Sequence, residues 1–133
     1  DRLPFASFMP SVSPVPVDRD KPIYIAHVLR RNPTDSIDEY HCPSDLGDSR
    51  PDANNGKPYF ETEKSSYAYR FPPNVGGTTT KEIANRIAGF TDRVVAENAI
   101  WIMRDYDNFH GPVGKPGARR YLYVDGHVSD YEN

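Results

Sequence analysis

Apolar and polar positions are arranged differently along successive parts of this 133-residue chain. In "DRLPFASFMPSVSPVPVDRDKP", residues 1–22, prolines at 4, 10, 14, 16 and 22 are interleaved with Leu3, Phe5, Phe8, Met9, Val12, Val15 and Val17. Each proline removes a backbone donor and clashes with the turn before it, so the segment predicts an extended arm. Its apolar side chains need a surface, either the arm's own domain or a neighbouring subunit, and strand addition to a neighbour suits such a segment. We therefore place an arm at 1–22 that docks on a neighbouring subunit, with Leu3, Phe5, Phe8, Val12, Val15 and Val17 as its contacts, and a head domain at 23–133.

At the start of the head, "DRDKPIYIAHVLRRNP" (18–33) supports two readings. Asp20 as a cap, Pro22 in the first turn and Arg30-Arg31 at the end suit a helix. The β-branched Ile23, Ile25 and Val28 suit a strand; we take the helix. Residues 32–57 are rich in turn formers and predict a long loop, which in a small domain is usually functional or docked. "SSYAYRF" (65–71) has strand composition. In "TTTKEIANRIAGF" (78–90) Thr79 and Glu82 form a capping box, Ile83 and Ile87 share a face, and Gly89 predicts the stop. The run 92–111 predicts one or two strands ending at a polar corner. In "RRYLYVDGHVSDY" (119–131) alternation puts Tyr121, Tyr123 and Asp125 on one face and Leu122, Val124 and Gly126 on the other. Its Asp-Gly pair is a hairpin signal. The fold class is α+β: a small antiparallel C-terminal sheet, one or two short helices, long loops and the extended Pro-rich arm.

Composition agrees with this outline. Apolar residues make up 37% while prolines number 13 and glycines 9, so helix content should be low. With 16 basic and 19 acidic residues, the chain has no basic run longer than Arg30-Arg31 or Arg119-Arg120, which argues against nucleic acid as a partner. Cys42 has no second cysteine to pair with and reads as a small buried apolar residue. No apolar run approaches the roughly 18 residues of a membrane span, so a soluble chain is expected. The first residue is Asp1, which suits a processed product. Some of the 9 tyrosines should meet a partner, or line a half-exposed sheet face.

Three landmarks occur in order: Cys42-Pro43-Ser44-Asp45, then Tyr67-Ala68-Tyr69, then His110 followed by Tyr123-Val124-Asp125-Gly126-His127-Val128. Over residues 40–128 this order resembles the globular heads of bacterial prepilin-like proteins, pseudopilin relatives with a processing-associated domain that ends in a His, a spacer and Asp-Gly-His. The spacer after His110 is longer here, and the long apolar helix by which pilins assemble is not in this sequence. The resemblance implies a self-assembling surface protein, with the Pro-rich arm supplying the longitudinal contact. Heads related in fold can bind calcium.

Candidate chemistry centres on Asp105, Asp107, His110, Asp125 and His127, which we expect to converge at one end of the sheet. Oxygen ligands from Asp105, Asp107 and Asp125 would suit calcium, the one cofactor expected. The structural alternative is a hydrogen-bonded turn in which Asp125 caps its own loop and His127 packs on the sheet. A hydrolase with His110 as base and Asp105 or Asp107 as orienter fits on residue types alone, but no nucleophile elbow, zinc-protease motif or phosphate loop accompanies it. His41 reads as a packed strand end. The "GGTTT" run (76–80) and residues 11–16 offer hydroxyls for O-linked sugar, whereas Asn32-Pro33-Thr34 cannot carry N-linked sugar. The expectation is a secreted, non-enzymatic, self-associating structural subunit. The alternative is a monomeric calcium-binding domain or small hydrolase that uses the Asp-Gly-His corner.

Overall fold

The computed structural model describes residues 2–11, 22–46, 54–70 and 75–130. Four antiparallel strands form one sheet in sequence order: β1 (Tyr67–Tyr69), β2 (Trp101–Asp105), β3 (Tyr121–Tyr123) and β4 (Val128–Ser129). Three short α-helices accompany it among the described residues: α1 (Ile25–Leu29), α2 (Tyr59–Glu63) and α3 (Thr80–Thr91). This is the α+β class read from the sequence, with a small sheet. No helix among the described residues is long and apolar enough to cross a membrane.

The capping box forms at α3 as expected: Thr79 Oγ1 accepts the Glu82 N–H at 3.2 Å and the Glu82 carboxylate accepts the Thr79 N–H at 3.4 Å. Ile83 and Ile87 face the core. The stop differs from the expectation. Gly89 remains helical and exposed, and the helix ends two residues later, where Asp92 takes a left-handed conformation and its N–H reaches Ala88 O at 2.9 Å. Asp tolerates that region better than most residues, so glycine is not required there.

The competing readings of residues 22–31 divide the segment between them. Residues 22–24 are extended, and only Ile25–Leu29 close a helical turn, with no side chain capping its start. Asp20, the expected cap, lies outside the described residues.

One core cluster joins Ile25, Tyr69, Val75, Ile83, Ile87, Ile100 and Met103. A second, on the other face of the sheet, holds Trp101, Tyr121 and Tyr123. An irregularity between Trp101 and Met103 separates the two clusters: Trp101 pairs with Tyr123, while Met103 pairs with the adjacent Leu122. Two residues of β2 thus oppose one step of β3, a bulge that turns Trp101 away from the face carrying Met103. Arg70 lies over the Trp101 ring at 4.3 Å and Arg104 at 5.1 Å.

Over the residues described, the arm lies against the head of its own chain. Leu3 donates its N–H to Thr78 O (2.9 Å) and its carbonyl accepts the Gly77 N–H (2.8 Å). Ser7 exchanges bonds with Ile23 through N–H to O (2.7 Å) and Ile23 N–H to Ser7 Oγ (3.0 Å). Tyr69 Oη donates to Pro4 O at 2.8 Å, Tyr106 Oη donates to Phe8 O, and Ala6 is part of the core. Ser11 donates its N–H and hydroxyl to buried Glu63. Leu3 packs against the core, and Phe5 lies over Gly77, half exposed. The φ of Gly77 is +71°, a backbone conformation that favours glycine, and a β-carbon there would stand 2.5 Å from Phe5 Cζ, so the half-exposed Phe5 ring would have to shift. Val12, Val15 and Val17 lie outside the described residues.

Among the described residues, the hydroxyls considered for sugar each make a hydrogen bond, while Ser13 lies outside the described residues. Thr78 is buried with Oγ1 on Val75 O (2.6 Å), Thr79 caps α3, Thr80 Oγ1 donates to Glu97 at 2.7 Å, and Ser11 binds Glu63.

The long loop is docked through one carboxylate. Asp45, 2% exposed, accepts the N–H groups of Tyr59 (3.0 Å) and Phe60 (2.9 Å) at the start of α2 and the Ser66 hydroxyl (2.7 Å). Ser66 Oγ in turn accepts the Cys42 N–H (2.9 Å), and the Ser66 backbone joins Tyr40 O to the Tyr106 N–H. Asp45→Ala orphans three donors, the buried Ser66 hydroxyl and the part-buried Tyr59 and Phe60 N–H groups, so we expect a loss of on the order of 3–5 kcal/mol in unfolding free energy, against about 1–3 kcal/mol for Ser66→Ala. Urea titrations measure both, and equal small losses would contradict the central place given to Asp45.

Candidate functional site

The Asp105 and His110 side chains meet at the β1-proximal end of the sheet. Asp105 closes β2 opposite Tyr67, the first residue of β1, and its N–H bonds to Arg120 O at 3.1 Å. Its carboxylate is 1% exposed; Oδ2 accepts the Arg120 N–H at 2.8 Å and lies 3.4 Å from His110 Nε2. Oδ1 is buried with no hydrogen-bond partner among the described residues. Burial pushes the Asp105 carboxyl above the usual carboxylate range, against the opposing pull of the Arg120 N–H and of the charges on His110, Arg119 and Arg120. His110 sits in the loop after β2, where its N–H reaches Ala118 O at 3.1 Å.

Cys42 also meets this imidazole, with Sγ 3.7 Å from the same Nε2. A thiol nucleophile with a histidine base needs the orienting carboxylate on the opposite ring nitrogen. Here one nitrogen faces both partners, and the thiol is 2% exposed. The three side chains therefore make a hydrogen-bonding cluster and not a relay. They line a groove of about 580 Å³, which is otherwise largely apolar and includes Leu29, Met103, Leu122 and Val128.

Asp125 and His127 lie elsewhere, which corrects the expected convergence. Tyr123 pairs with Trp101, the first residue of β2, so the turn after it stands at the opposite end of the sheet from Asp105. Leu122 pairs with Val128 across the expected hairpin, whose Gly126 has φ +90°. Asp125 Oδ1 accepts the His127 N–H at 3.1 Å and contacts His127 Nδ1. These bonds, the backbone one foremost, hold the exposed Asp125 carboxyl below its usual range. The His127 ring stacks on Tyr123 at 4.3 Å and 9°. Asp125 thus caps its own loop while His127 packs on the sheet, the structural alternative weighed from the sequence.

Asp107 turns into its own loop, where its Oδ1 accepts the Asn108 N–H at 2.7 Å. Asp105, Asp107 and Asp125 are therefore not one ligand set, and among the described residues no group of three or more His, Cys, Asp or Glu side chains is placed to hold a metal ion. Within the "HCPSD" motif, His41 stacks on Phe60 at 4.6 Å while Asp45 and Cys42 hold the loop. Pro43 lines the groove.

Comparison with protein-family models, with curated proteins and with solved structures returns no match, so the site is read from its own geometry. Sequence reasoning brought Asp105 and His110 together but kept Cys42 apart and missed the groove walls. Leu29, Tyr40, Leu122 and Val128 come from four separate segments, and only the apolar character of Leu29 beside two arginines hinted at a surface role.

The raised Asp105 pKa means that the folded chain holds its proton more tightly than the unfolded chain. Its contribution is fully present below the ordinary aspartate pKa of about 3.9 and is lost as pH rises through the raised value. Asp105→Asn lacks this loss. Melting temperatures across the acid range should therefore show the wild type losing ground to the variant as pH rises; a constant gap, or the opposite slope, would refute the assignment.

Proposed function

We propose that this chain is an extracellular structural subunit that self-assembles into a filament or surface assembly, each copy seating its N-terminal arm on the head of the next. The observation that carries this reading is the manner of the arm's attachment. Residues 2–11 are held only by noncovalent contacts with separated parts of the head, including Ile23, Glu63, Tyr69 and Gly77. The covalent link runs through residues 12–21, which include Pro14 and Pro16.

A slot that fits the arm of its own chain fits the same arm from another copy through the same contacts, which is the basis of domain swapping. A link of this length spans at most ~33–36 Å, about the diameter of a domain of this size, so the arm can reach a head that touches its own. A head that gives its arm to one neighbour and receives one from another makes a heterologous contact, which repeats into a fibre without closing. The tether holds each arm near its own slot at an effective concentration on the order of millimolar. The closed monomer is therefore favoured in dilute solution, and assembly grows with protein concentration. The resemblance of the Cys-Pro-Ser-Asp, Tyr-Ala-Tyr and Asp-Gly-His landmarks to pilin-like heads supports the surface setting.

Sedimentation velocity across a concentration series, with negative-stain electron microscopy of the same samples, tests the proposal. Monomers should give way to fibres as concentration rises. Deleting residues 14–17 should hinder the return of the arm to its own head and move the transition to lower concentration, while a flexible Gly-Ser insertion there should raise it. Monomers at every concentration in all three proteins would overturn the reading.

A further inference from the structure

We infer that the groove beside Asp105 binds a primary ammonium group carried on an unbranched apolar stem. A buried carboxylate normally satisfies both oxygens, because an unpaired acceptor costs its desolvation without return. Asp105 satisfies one: Oδ2 takes the Arg120 N–H and faces His110, while Oδ1 has no partner among the described residues. The residue lines a groove whose volume, about 580 Å³, is that of a small-molecule site, where apolar walls surround a few fixed polar groups.

Charges along the groove are mixed, and the acceptor left open on Asp105, which calls for a donor, decides the occupant. Arg104 lines the groove and also lies over the Trp101 ring at 5.1 Å. Arg120 points to Asp130 at 3.9 Å, and the Arg119 guanidinium donates to Tyr106 O at 3.0 Å. Arg120, like Arg104, also lines the groove, whose acidic side chains are Asp105 and Glu39. An ammonium donates three hydrogen bonds and needs no acceptor in return, matching an acceptor-only carboxylate oxygen. The stem would lie along Met103, Leu122, Leu29 and Val128, the last two of which are 44% and 60% exposed and form an open rim. None of the described arm residues, 2–11 and 22, is among those lining the groove, so the inference is separate from their exchange.

The test follows amide shifts of the full chain on titration with n-hexylamine, n-hexanol and hexanoate, beside Nα-acetyl-lysine amide. Saturable shifts at Asp105, His110 and Leu122 with hexylamine, about tenfold weaker or absent with hexanol and hexanoate, support the site. Binding of hexylamine alone then assigns a free amine, and binding of both amines a lysine side chain. Asp105→Asn should weaken hexylamine about tenfold or more, and Val128→Arg, at an exposed rim position, should weaken it with the fold intact. Hexanol binding as tightly as hexylamine, unaltered binding in both variants, or no binding of either amine overturns the inference.

Discussion

The Asp45 carboxylate is the point from which the rest of the head is braced. A loop rich in turn formers has no ladder of its own to satisfy its backbone, so it must be tied to elements that do. Asp45 ties it twice, by taking the first amides of α2 and by holding Ser66 at the entrance to β1. Ser66 then fixes Cys42 and joins Tyr40 to Tyr106 through its backbone. Because Cys42 stands against His110, the same bond network sets the floor of the groove. A motif that looks like chemistry in the sequence is here the framework under it.

The arm completes the core as well as covering it. Ala6 is a member of the main cluster, and Leu3 packs on its edge. A head without the arm would therefore expose apolar surface and leave the Tyr69 and Tyr106 hydroxyls to find other partners. Burial around both phenols pushes their pKa values well above the ordinary tyrosine range, which marks how dry that layer is. Such a slot is filled in one way or another, by its own arm or by a copy.

The parts of the fold that were legible in the sequence are those decided within a few residues. Thr79 and Glu82 meet three positions apart, and Asp125-Gly126 makes its turn from its own dihedral freedom. The stop at Asp92 was not legible, because glycine signals an end without requiring one. Arm placement depends on Gly77, whose bare backbone receives Leu3 and Phe5 from more than seventy residues away. The separation of Asp105 from Asp125 depends on strand register, since β3 runs back from Asp105 toward Trp101 before the turn. Asp105 and His110, five apart, were paired correctly for that reason, while His127 was assigned to the wrong end of the sheet.

The sequence contains a single tryptophan, Trp101, and its surroundings give the molecule a built-in optical reporter. The indole is buried, with the guanidinium groups of Arg70 and Arg104 over its ring and Tyr121 edge-on, on the face of the sheet away from the arm's core cluster. Its emission thus registers whether the β2 and β3 strands are zipped together. Lifting of the arm, which carries phenylalanines and no indole, leaves that chromophore's immediate shell in place, so the two events have separate spectroscopic identities.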